Sequence, residues 1–557
     1  MKLERIIIRN FRALKGEGNV IWFNKSSIIF LIGQNNTGKS SFLHAYDFFV
    51  KSRQKVFIKD FHNYDTNIPV EIEGWFTKED TDGVDPDLAG PKKDADPEWV
   101  DKWVDENSIV KVKKLWAEVG GSFKKQTYSP SESKWIDNGF GGFDTIFQKY
   151  TPTPIFINAI ETEASLEKSV NDLINTRFLK TIETTHKSEY ESIKQEIAKL
   201  QKQITGSSEV GDFNNQLNED FKKVFSNLTL QLKPKDENEI NILKAFEKHH
   251  SIGVQKDGVS REEDFTQHGH GIIRQALFNF LKFIGNSTGD VSYLILFEEP
   301  ELYLHPKVLF NLRKSLHELS DSPSFQVLCA THSPAMIDVS KPHSSLVRVV
   351  KESDESTKTY QADEDLFQDT DEKKKFVQMI NRFNPHICEA FYADKVILVE
   401  GDTETIVYRE LLEKFFSDEE IFVLNTGSKN NIPFFQEFLS HFRIEHYAIH
   451  DSDKEFNENG TRSSVWTLNK RIWDKVEEAN VMQMGLARRY VHIYNFEDAH
   501  RYEVNSSMGK PLAAYEYAKT INIDSNVDCL KWLKDIVGNK EILHDQKFIE
   551  KYLEKNI

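Results

Sequence analysis

The sequence feature that most constrains the fold is a glycine-rich segment at 33–40, Gly-Gln-Asn-Asn-Thr-Gly-Lys-Ser, which fits the pattern of a phosphate-binding loop. An apolar, β-branched run at 27–32 precedes it, and apolar residues at helical spacing follow it from Phe42 onward. Gly33 and Gly38 let the backbone curl so that its N–H groups face phosphate oxygens. The helix that follows adds the positive end of its dipole. The segment therefore predicts an α/β fold with ATP bound at the end of a buried strand.

Within this loop the residue types suit particular contacts with the nucleotide. Lys39 is expected to reach the β- and γ-phosphates, and the Ser40 hydroxyl is expected to bind the Mg²⁺ that accompanies ATP. The residues predicted to contact the nucleotide in this segment are Gly33, Asn35, Asn36, Thr37, Gly38, Lys39, Ser40 and Ser41.

A second apolar strand, at 293–297, ends in the acids Glu298 and Glu299. A carboxylate at such a strand end can hold Mg²⁺ through water, and its neighbour can activate the attacking water. We assign the first role to Glu298 and the second to Glu299. Another strand, at 325–328, leads into Ala-Thr-His-Ser-Pro, whose His332 is placed to touch the γ-phosphate. The alternative, an acidic helix start favoured by the macrodipole, does not predict these later segments.

This ordered set of segments resembles the ATP-binding-cassette ATPases of the RecF and SMC type, in which two heads enclose two ATP molecules. The opening Ile-Arg-Asn-Phe-Arg at 8–12 is similar to the first-strand signature of that group. The resemblance implies that 267–275 caps the ATP of a second head, with Gly269, Gly271 and Arg274 near the nucleotide. A Gly/His-rich loop before a helix is the alternative interpretation of that segment.

Further along the chain, a different pattern of acids follows a new set of strands. Glu400 ends an apolar strand and is followed by a glycine, and Asp451-Ser452-Asp453 ends another strand about 50 residues later. Together these carboxylates can form an oxygen-only pocket, which suits Mg²⁺ or Mn²⁺ rather than zinc. Two such ions can activate water and stabilise the leaving oxygen of a phosphodiester. Acidic loop residues of an ordinary α/β domain are the alternative.

The strand-Glu-Gly segment followed by Asp-x-Asp resembles the Toprim domain. An ATPase of the RecF/SMC type with a helical insertion, followed in one chain by Toprim, resembles the OLD (overcoming lysogenization defect) nuclease family from Met1 to about residue 515. The resemblance implies a second acid at Glu404, a loop near the metals at 426–429, and later active-site groups. For those later groups the candidates are Glu497, Asp498 and Lys510, although the acids could equally start a helix and the lysine could be a surface residue.

In the resulting assignment the catalytic residues are Glu299, His332, Glu400, Asp451, Asp453 and Lys510. The metal ligands are Ser40, Glu298, Glu400, Glu404, Asp451, Asp453 and Glu497, with two ions at the Toprim site and one with ATP.

The 557 residues divide by pattern into four segments. These are an N-terminal ATPase part (1–160), a helical insertion (161–250), a C-terminal ATPase part (251–385) and a Toprim α/β domain (390–557). In the insertion, apolar residues at 190, 193, 197, 200 and 204 step by three and four, which is a short coiled-coil seam. The seam predicts either an amphipathic helix packed on its own domain or a helix that pairs with a second subunit.

Composition bounds the remaining choices. The net charge of −17 argues against bulk nucleic-acid binding but allows a local basic groove, and carboxylate sites contribute to it. Three widely spaced cysteines favour a reducing cytoplasm over a disulfide frame. No apolar run has the length of a membrane span, and the N-terminus lacks the pattern of a signal peptide.

From these observations we expect an ATP-regulated, divalent-metal-dependent DNA endonuclease that is at least a dimer. The resemblance implies anti-phage defence, with a helicase-like protein or a retron reverse transcriptase and its RNA–DNA product among the family's partners. The alternative function is an ATP-gated nucleic-acid sensor or scaffold whose Toprim site does not cut. A topoisomerase is not favoured, because we find no room for a winged-helix domain with a breakage tyrosine.

Overall fold

The computed structural model describes residues 1–79, 101–139, 147–148, 150–159, 187–205, 253–255, 262–264, 281, 292–338, 341, 343–362, 385–457, 459–502, 509–538 and 540–553. The chain forms two compact units, one made of 1–159 with 285–557 and the other of 160–284. Both predicted sites draw their described residues from the first unit.

The described strands are numbered in chain order. The first eight are β1 Lys2–Arg9, β2 Val20–Trp22, β3 Ile28–Ile32, β4 Val70–Thr77, β5 Ile109–Trp116, β6 Lys124–Ser129, β7 Lys134–Asp137 and β8 Thr153–Ile157. The next six are β9 Gly253–Gln255, β10 Glu262–Asp264, β11 Tyr293–Glu298, β12 Phe325–Ala330, β13 Leu346–Lys351 and β14 Thr357–Gln361. The last four are β15 Lys395–Val399, β16 Ile421–Asn425, β17 Glu445–Asp451 and β18 Ala487–His492.

The described helices are numbered in the same way. They are α1 Lys39–Val50, α2 Lys187–Thr205, α3 Pro306–Ser320, α4 Asp402–Phe415, α5 Ile432–His441, α6 Ser464–Met482, α7 Phe496–His500, α8 Lys510–Thr520, α9 Asp528–Val537 and α10 Gln546–Leu553. None of the helices in the described ranges is long and apolar enough to cross a membrane.

One sheet, in the order β2-β1-β4-β5-β6-β7, is antiparallel throughout. Its inner face contributes buried side chains from β1, β4 and β5 to a core that α1 shares. On the other face, cations alternate with aromatic rings across neighbouring strands: Arg5 lies over Trp22 and Trp75, and Lys111 lies over Trp75 and Tyr128. Such cross-strand pairs add stability to a sheet whose outer face is only partly buried.

The nucleotide sheet has the order β14-β13-β3-β12-β11-β8, and its strands are parallel except for the β13–β14 pair. Strand β3 is buried along its whole length, as expected for a strand covered on both faces. The phosphate-binding loop follows β3, and the two acids predicted for ATP chemistry end β11, two strands away in the sheet. Because carboxyl ends of parallel strands share one edge, these segments meet there.

The C-terminal sheet is parallel with the order β16-β15-β17-β18. Helices α4, α8 and α9 cover one side of it, with a core that includes Tyr408, Leu411, Leu530 and Leu533. Helices α5 and α6 pack against each other and also contact the sheet, α5 at β17 and α6 at β18. The acids of the predicted Toprim site follow these strands and therefore lie at its carboxyl edge.

A buried arginine joins the nucleotide sheet to the C-terminal sheet. Arg348, on β13, donates to the carbonyls of Phe442 at 3.1 Å, Arg443 at 2.9 Å and Ala393 at 3.3 Å. Burial lowers the pKa of its guanidinium to about 10, opposed by the charge of Asp394. An always-charged donor that satisfies three carbonyls at once fixes these segments firmly against each other.

Candidate active sites

The phosphate-binding loop has the backbone geometry that its glycines predicted. Gly33 has a φ of 135°, and a Cβ there would lie 2.4 Å from the carbonyl oxygen of Val349. Gly38 has a φ of 98° and lies directly before α1. Glycine is therefore required at both positions, because an L side chain would be strained at either and would collide with backbone at Gly33.

Lys39 is 4% exposed and donates to the carbonyls of Gly33 at 2.8 Å and Gln34 at 2.6 Å. Burial lowers the pKa of its ammonium to about 8, against the raising effect of Glu299 and Glu301. The lysine is thus held inside the loop, near Glu299, which was expected to act at the nucleotide, and near Glu301.

The acids at the end of β11 divide into different environments. Glu299 has a φ of 43° and its Oε1 lies 3.6 Å from His332 Nε2. Burial, helped by the Lys39 charge, lowers the pKa of His332 to about 4, so the imidazole is neutral near neutral pH. Glu298 ends β11, and its charge acts on His44 of α1. The structure therefore brings Glu299, His332 and Lys39 together.

Glu301 was not assigned a role from the sequence. Its carboxylate accepts from the Thr331 hydroxyl at 2.9 Å and from the His332 backbone N–H, and burial raises its pKa. It thereby fixes the segment that carries His332. Its only sequence signal was its place three residues after Glu298. Gly269, Gly271 and Arg274, predicted to cap a second head's ATP, lie outside the described residues.

The Toprim acids come together at the carboxyl edge of the C-terminal sheet. Glu400 follows β15, Asp451 ends β17, and Glu404 lies in the first turn of α4. Glu400 Oε1 accepts from the backbone N–H of Asp451 at 2.7 Å, which joins the two strand ends directly. Asp453 has a φ of 59°, a left-handed conformation in which its carboxylate turns toward Lys429.

The carboxyl groups of these acids raise one another's pKa values. Burial, reinforced by Asp451, raises the pKa of Glu400 to about 8 and that of Glu404 to about 7. Burial, reinforced by Asp453, raises the pKa of Asp451 to about 8. Several buried carboxyl groups that share one site hold protons at neutral pH unless a cation compensates them.

Two further groups lie close enough to act on this cluster. The charge of Glu497, on α7, raises the pKa of Asp451 and of Glu404, and Lys510, at the start of α8, lowers that of Glu404. Asp498 has a different environment, since its N–H and its carboxylate both bond to the side chain of Asn495, the residue before α7.

His492 was not predicted from the sequence. This fully buried residue at the end of β18 has its Nδ1 3.3 Å from Asp451 Oδ1, and burial lowers its pKa to about 3. Its place at a strand end beside β17 was the available signal.

The donor set suits a divalent ion by chemistry, because it is made of several carboxylate oxygens that share one site. Among the described residues, however, no three His, Cys, Asp or Glu side chains are arranged so that they could hold a metal ion. Two of the carboxylates are instead bonded to protein donors, Glu400 to a backbone N–H and Asp453 to Lys429. Holding an ion would therefore require small side-chain changes at these two acids.

The phosphate-binding loop also touches the C-terminal sheet directly. The Gln34 amide donates to the Glu420 carboxylate at 2.6 Å, and Glu420 immediately precedes β16. The two residues are 386 positions apart, so nothing in the local sequence signals this contact.

The fold and the two sites together define a phosphate-binding-loop ATPase joined in one chain to a Toprim domain. Residues 1–337 match the family described as AAA ATPase domain, and residues 391–453 match the one described as overcoming lysogenization defect protein-like, TOPRIM domain. The chain belongs to the OLD family, the nucleases that unite these two domains.

Named relatives agree with this assignment. The Old nuclease of Escherichia phage P2 is 24% identical over 81% of this chain and 77% of its own length. Endonuclease GajA of Bacillus cereus (strain VD045) is 23% identical over 77% of this chain and 71% of its own length. Among solved structures, an SMC head bound to the C-winged helix domain of ScpA covers 65% of this chain and 98% of its own, at 14% identity and a TM-score of 0.35.

Proposed function

We propose that this nuclease is a divalent-metal-dependent DNA endonuclease that hydrolyses phosphodiesters at its Toprim acids under control of its ATPase domain. The observation that carries the proposal is the cluster of Glu400, Glu404 and Asp451 at the carboxyl edge of the sheet, in which Glu404 is buried and Glu400 bonds to the Asp451 backbone. Their pKa values are raised to about 8, about 7 and about 8. Ionising such a cluster is costly for a fold unless positive charge neutralises it, and a divalent cation would supply that charge.

In the proposed reaction, Glu400, Glu404, Asp451 and Asp453 would hold the divalent ions, with Glu497 as a further candidate ligand. A bound ion would supply a Lewis acid that activates water and stabilises the leaving oxygen. Burial keeps the carboxylates fixed at the sheet edge, so that the attacking water and the phosphodiester meet in a defined geometry. Lys510, exposed at the start of α8, is proposed to contact the negatively charged phosphate.

For ATP we propose that Lys39, Ser40, Glu298, Glu299 and His332 bind and hydrolyse the nucleotide with one Mg²⁺. Two contacts support control of the Toprim domain by this site. Gln34, in the loop itself, bonds to Glu420, and Arg348 binds three carbonyls around the C-terminal sheet. A change in the loop on ATP binding would thus alter the hydrogen bond to Glu420, just before β16.

The wider biological role is proposed from the family. We propose a cytoplasmic, anti-phage function with duplex DNA as substrate and self-association through composite ATP sites. The relative named Endonuclease GajA supports an endonucleolytic rather than an exonucleolytic cut. A reverse transcriptase with its RNA–DNA product, or a helicase-like protein, is the proposed class of partner.

The proposal is tested by cutting a closed circular duplex with the purified full chain in Mg²⁺ or Mn²⁺. We expect Glu400→Ala to lose roughly a hundredfold or more in rate, because a ligand and a fixed charge are both removed. Glu413→Ala, at an exposed position on α4, is the matched control and should cut like the native chain. Equal cutting by Glu400→Ala and the native chain would refute the Toprim acids as the active site.

A further inference from the structure

A buried lysine reaches into the Toprim acids from the loop after β16. Lys429 is 3% exposed, and its ammonium donates to Asp453 Oδ2 at 2.7 Å and to the backbone carbonyl of Asp451. Its charge also acts on Glu400 and Asp451, opposing the effect of burial on both acids. A cation of the chain itself is therefore in contact with the segment that carries two of the proposed metal ligands.

The loop that carries this lysine is firmly held. The Thr426 hydroxyl donates to the Val399 carbonyl at 2.8 Å, next to Glu400, and the Asn431 amide donates to the Thr426 carbonyl at 2.7 Å. Gly427 has a φ of 73°, and the Ser428 hydroxyl accepts from the Asn430 N–H at 3.2 Å. With its backbone fixed and its side chain enclosed, the ammonium has little freedom to leave the acids for solvent.

Burying a lysine beside carboxylates is favourable only when the charges compensate each other. Here Glu404 is buried, Glu400 and Asp451 are partly buried, and Asp453 adds a fourth carboxyl group. The positive charge of the Lys429 ammonium partly offsets the repulsion among these carboxylates. Its bond to Asp453 holds that carboxylate beside the ammonium, while the charge of Asp453 still acts on Asp451 and Glu400.

We propose that Lys429 is a resident counter-ion, a positioning residue that holds the Asp451–Asp453 segment in place and opposes the binding of one divalent ion there. The inference rests on the proposed function in taking the Toprim acids as ligands. Because the ammonium and a divalent cation repel each other across a few ångströms of a partly buried site, its charge weakens ion binding. The cluster is thereby kept ordered between catalytic events without a tightly trapped ion.

The test compares Mn²⁺ binding by the full-length native chain and Lys429→Gln, by calorimetry and by the electron paramagnetic resonance signal of free Mn²⁺, without DNA or ATP. We expect Lys429→Gln to bind Mn²⁺ at least about tenfold more tightly, because the repelling charge is gone. Without metal it should unfold at a lower temperature than the native chain, and saturating Mn²⁺ should remove that difference. Lys429→Arg keeps the charge and should bind Mn²⁺ as weakly as the native chain does.

Lys470→Gln is the matched control, since this lysine is exposed on α6 and pairs only locally with Asp474. Equal or weaker Mn²⁺ binding by Lys429→Gln, or a thermal deficit that Mn²⁺ leaves unchanged, would overturn the proposal and make Lys429 a purely structural residue. Because neither readout uses DNA, a native chain that binds Mn²⁺ but fails to cut would count against the proposed nuclease alone.

Discussion

At the scale of residues, the surroundings of the Toprim acids disfavour the ionised form of their carboxyl groups. Glu404 is buried, Glu400 and Asp451 are partly buried, and loss of hydration is the main cause of their raised pKa values. Their ordinary values lie near 4, so folding makes each of them a stronger proton acceptor. The free-energy cost of ionising them in the folded chain is avoided when they bind protons, and it is offset when they bind a cation.

This arrangement predicts an inverted pH dependence for the metal-free chain. A carboxyl group whose pKa is raised on folding stabilises the fold at low pH and loses that contribution as pH rises through its folded pKa. Between about pH 6 and about pH 9, the folded chain in a chelator should therefore lose on the order of 7 kcal/mol in free energy of unfolding, because three groups release their protons in that range. Thermal unfolding at a series of pH values measures this.

Two controls identify the groups that cause this decline of stability with rising pH. Saturating Mg²⁺ should flatten it, because the ion replaces the protons, and Asp451→Asn should reduce it, because one titrating group is removed. A stability that rises steadily from pH 6 to pH 9 in chelator, at the same ionic strength, would contradict the raised pKa values of the cluster.

At the scale of elements, the nucleotide sheet and the Toprim sheet use the same device. Each places its functional groups at the carboxyl ends of neighbouring parallel strands: β3, β11 and β12 in the first, β15, β16, β17 and β18 in the second. The contact between Gln34 and Glu420 joins the carboxyl edge of the nucleotide sheet to the amino end of β16 in the Toprim sheet. We therefore expect this pair to transmit the state of the ATP site.

Removing the charge of Glu420 from that contact should weaken the coupling of cutting to ATP without changing the nuclease acids. In Glu420→Gln, the ratio of cleavage rates with and without ATP should come about threefold closer to one. A threefold change corresponds to the free energy of one exposed, charged hydrogen bond. Glu413→Gln, exposed on α4, is the control for a lost surface charge. An unchanged ratio in Glu420→Gln, with native ATP hydrolysis, would show that the contact transmits nothing.

Much of this architecture could be predicted from local sequence. The strands before Gly33, Glu298, Glu400 and Asp451 were expected from short apolar runs, and the spacing of acids relative to strand ends predicted which side chains would meet. The antiparallel sheet was mostly missed. Its strands β4 and β5 pair with each other although a 31-residue segment separates them, and tertiary pairing rather than a local turn brings them together.

The finer features of the sites could not be predicted because they depend on distant partners. The loop at 426–429 was noted only for its family resemblance, whereas the burial of Lys429 depends on Val399 and Asp453. His492 meets Asp451 only because β18 lies next to β17. Hydrogen bonds between residues far apart in the chain leave no periodic signal in the sequence.

At the scale of the whole molecule, the apolar seam of α2 bears on how chains assemble. In helix α2, Ile193 is 42% exposed and Leu200 is 56% exposed, and both belong to the apolar seam expected from the sequence. Exposed apolar residues at heptad spacing are suited to pairing with another helix. We therefore predict that the seam contributes to self-association.

Charged substitutions on that seam should weaken the assembly. Ile193→Asp combined with Leu200→Asp should shift the mass measured by light scattering after size exclusion toward that of one chain, because burying either carboxylate is costly. Gln195→Asp, on the opposite side of α2, should leave the mass of the native assembly. A native chain that is monomeric and fully active in ATP hydrolysis when dilute would contradict the paired arrangement.

The most direct test of the central claim is cleavage of supercoiled plasmid by the native chain, Lys39→Ala and the double variant Asp451→Ala/Asp453→Ala. Each is assayed in Mg²⁺ or Mn²⁺, with and without ATP, alongside its ATP hydrolysis. We predict metal-dependent nicking that the double variant loses while it still hydrolyses ATP, and that Lys39→Ala retains while it loses the response to ATP. Undiminished nicking by the double variant, or no nicking by any protein in either metal, would contradict a nuclease centred on the Toprim acids.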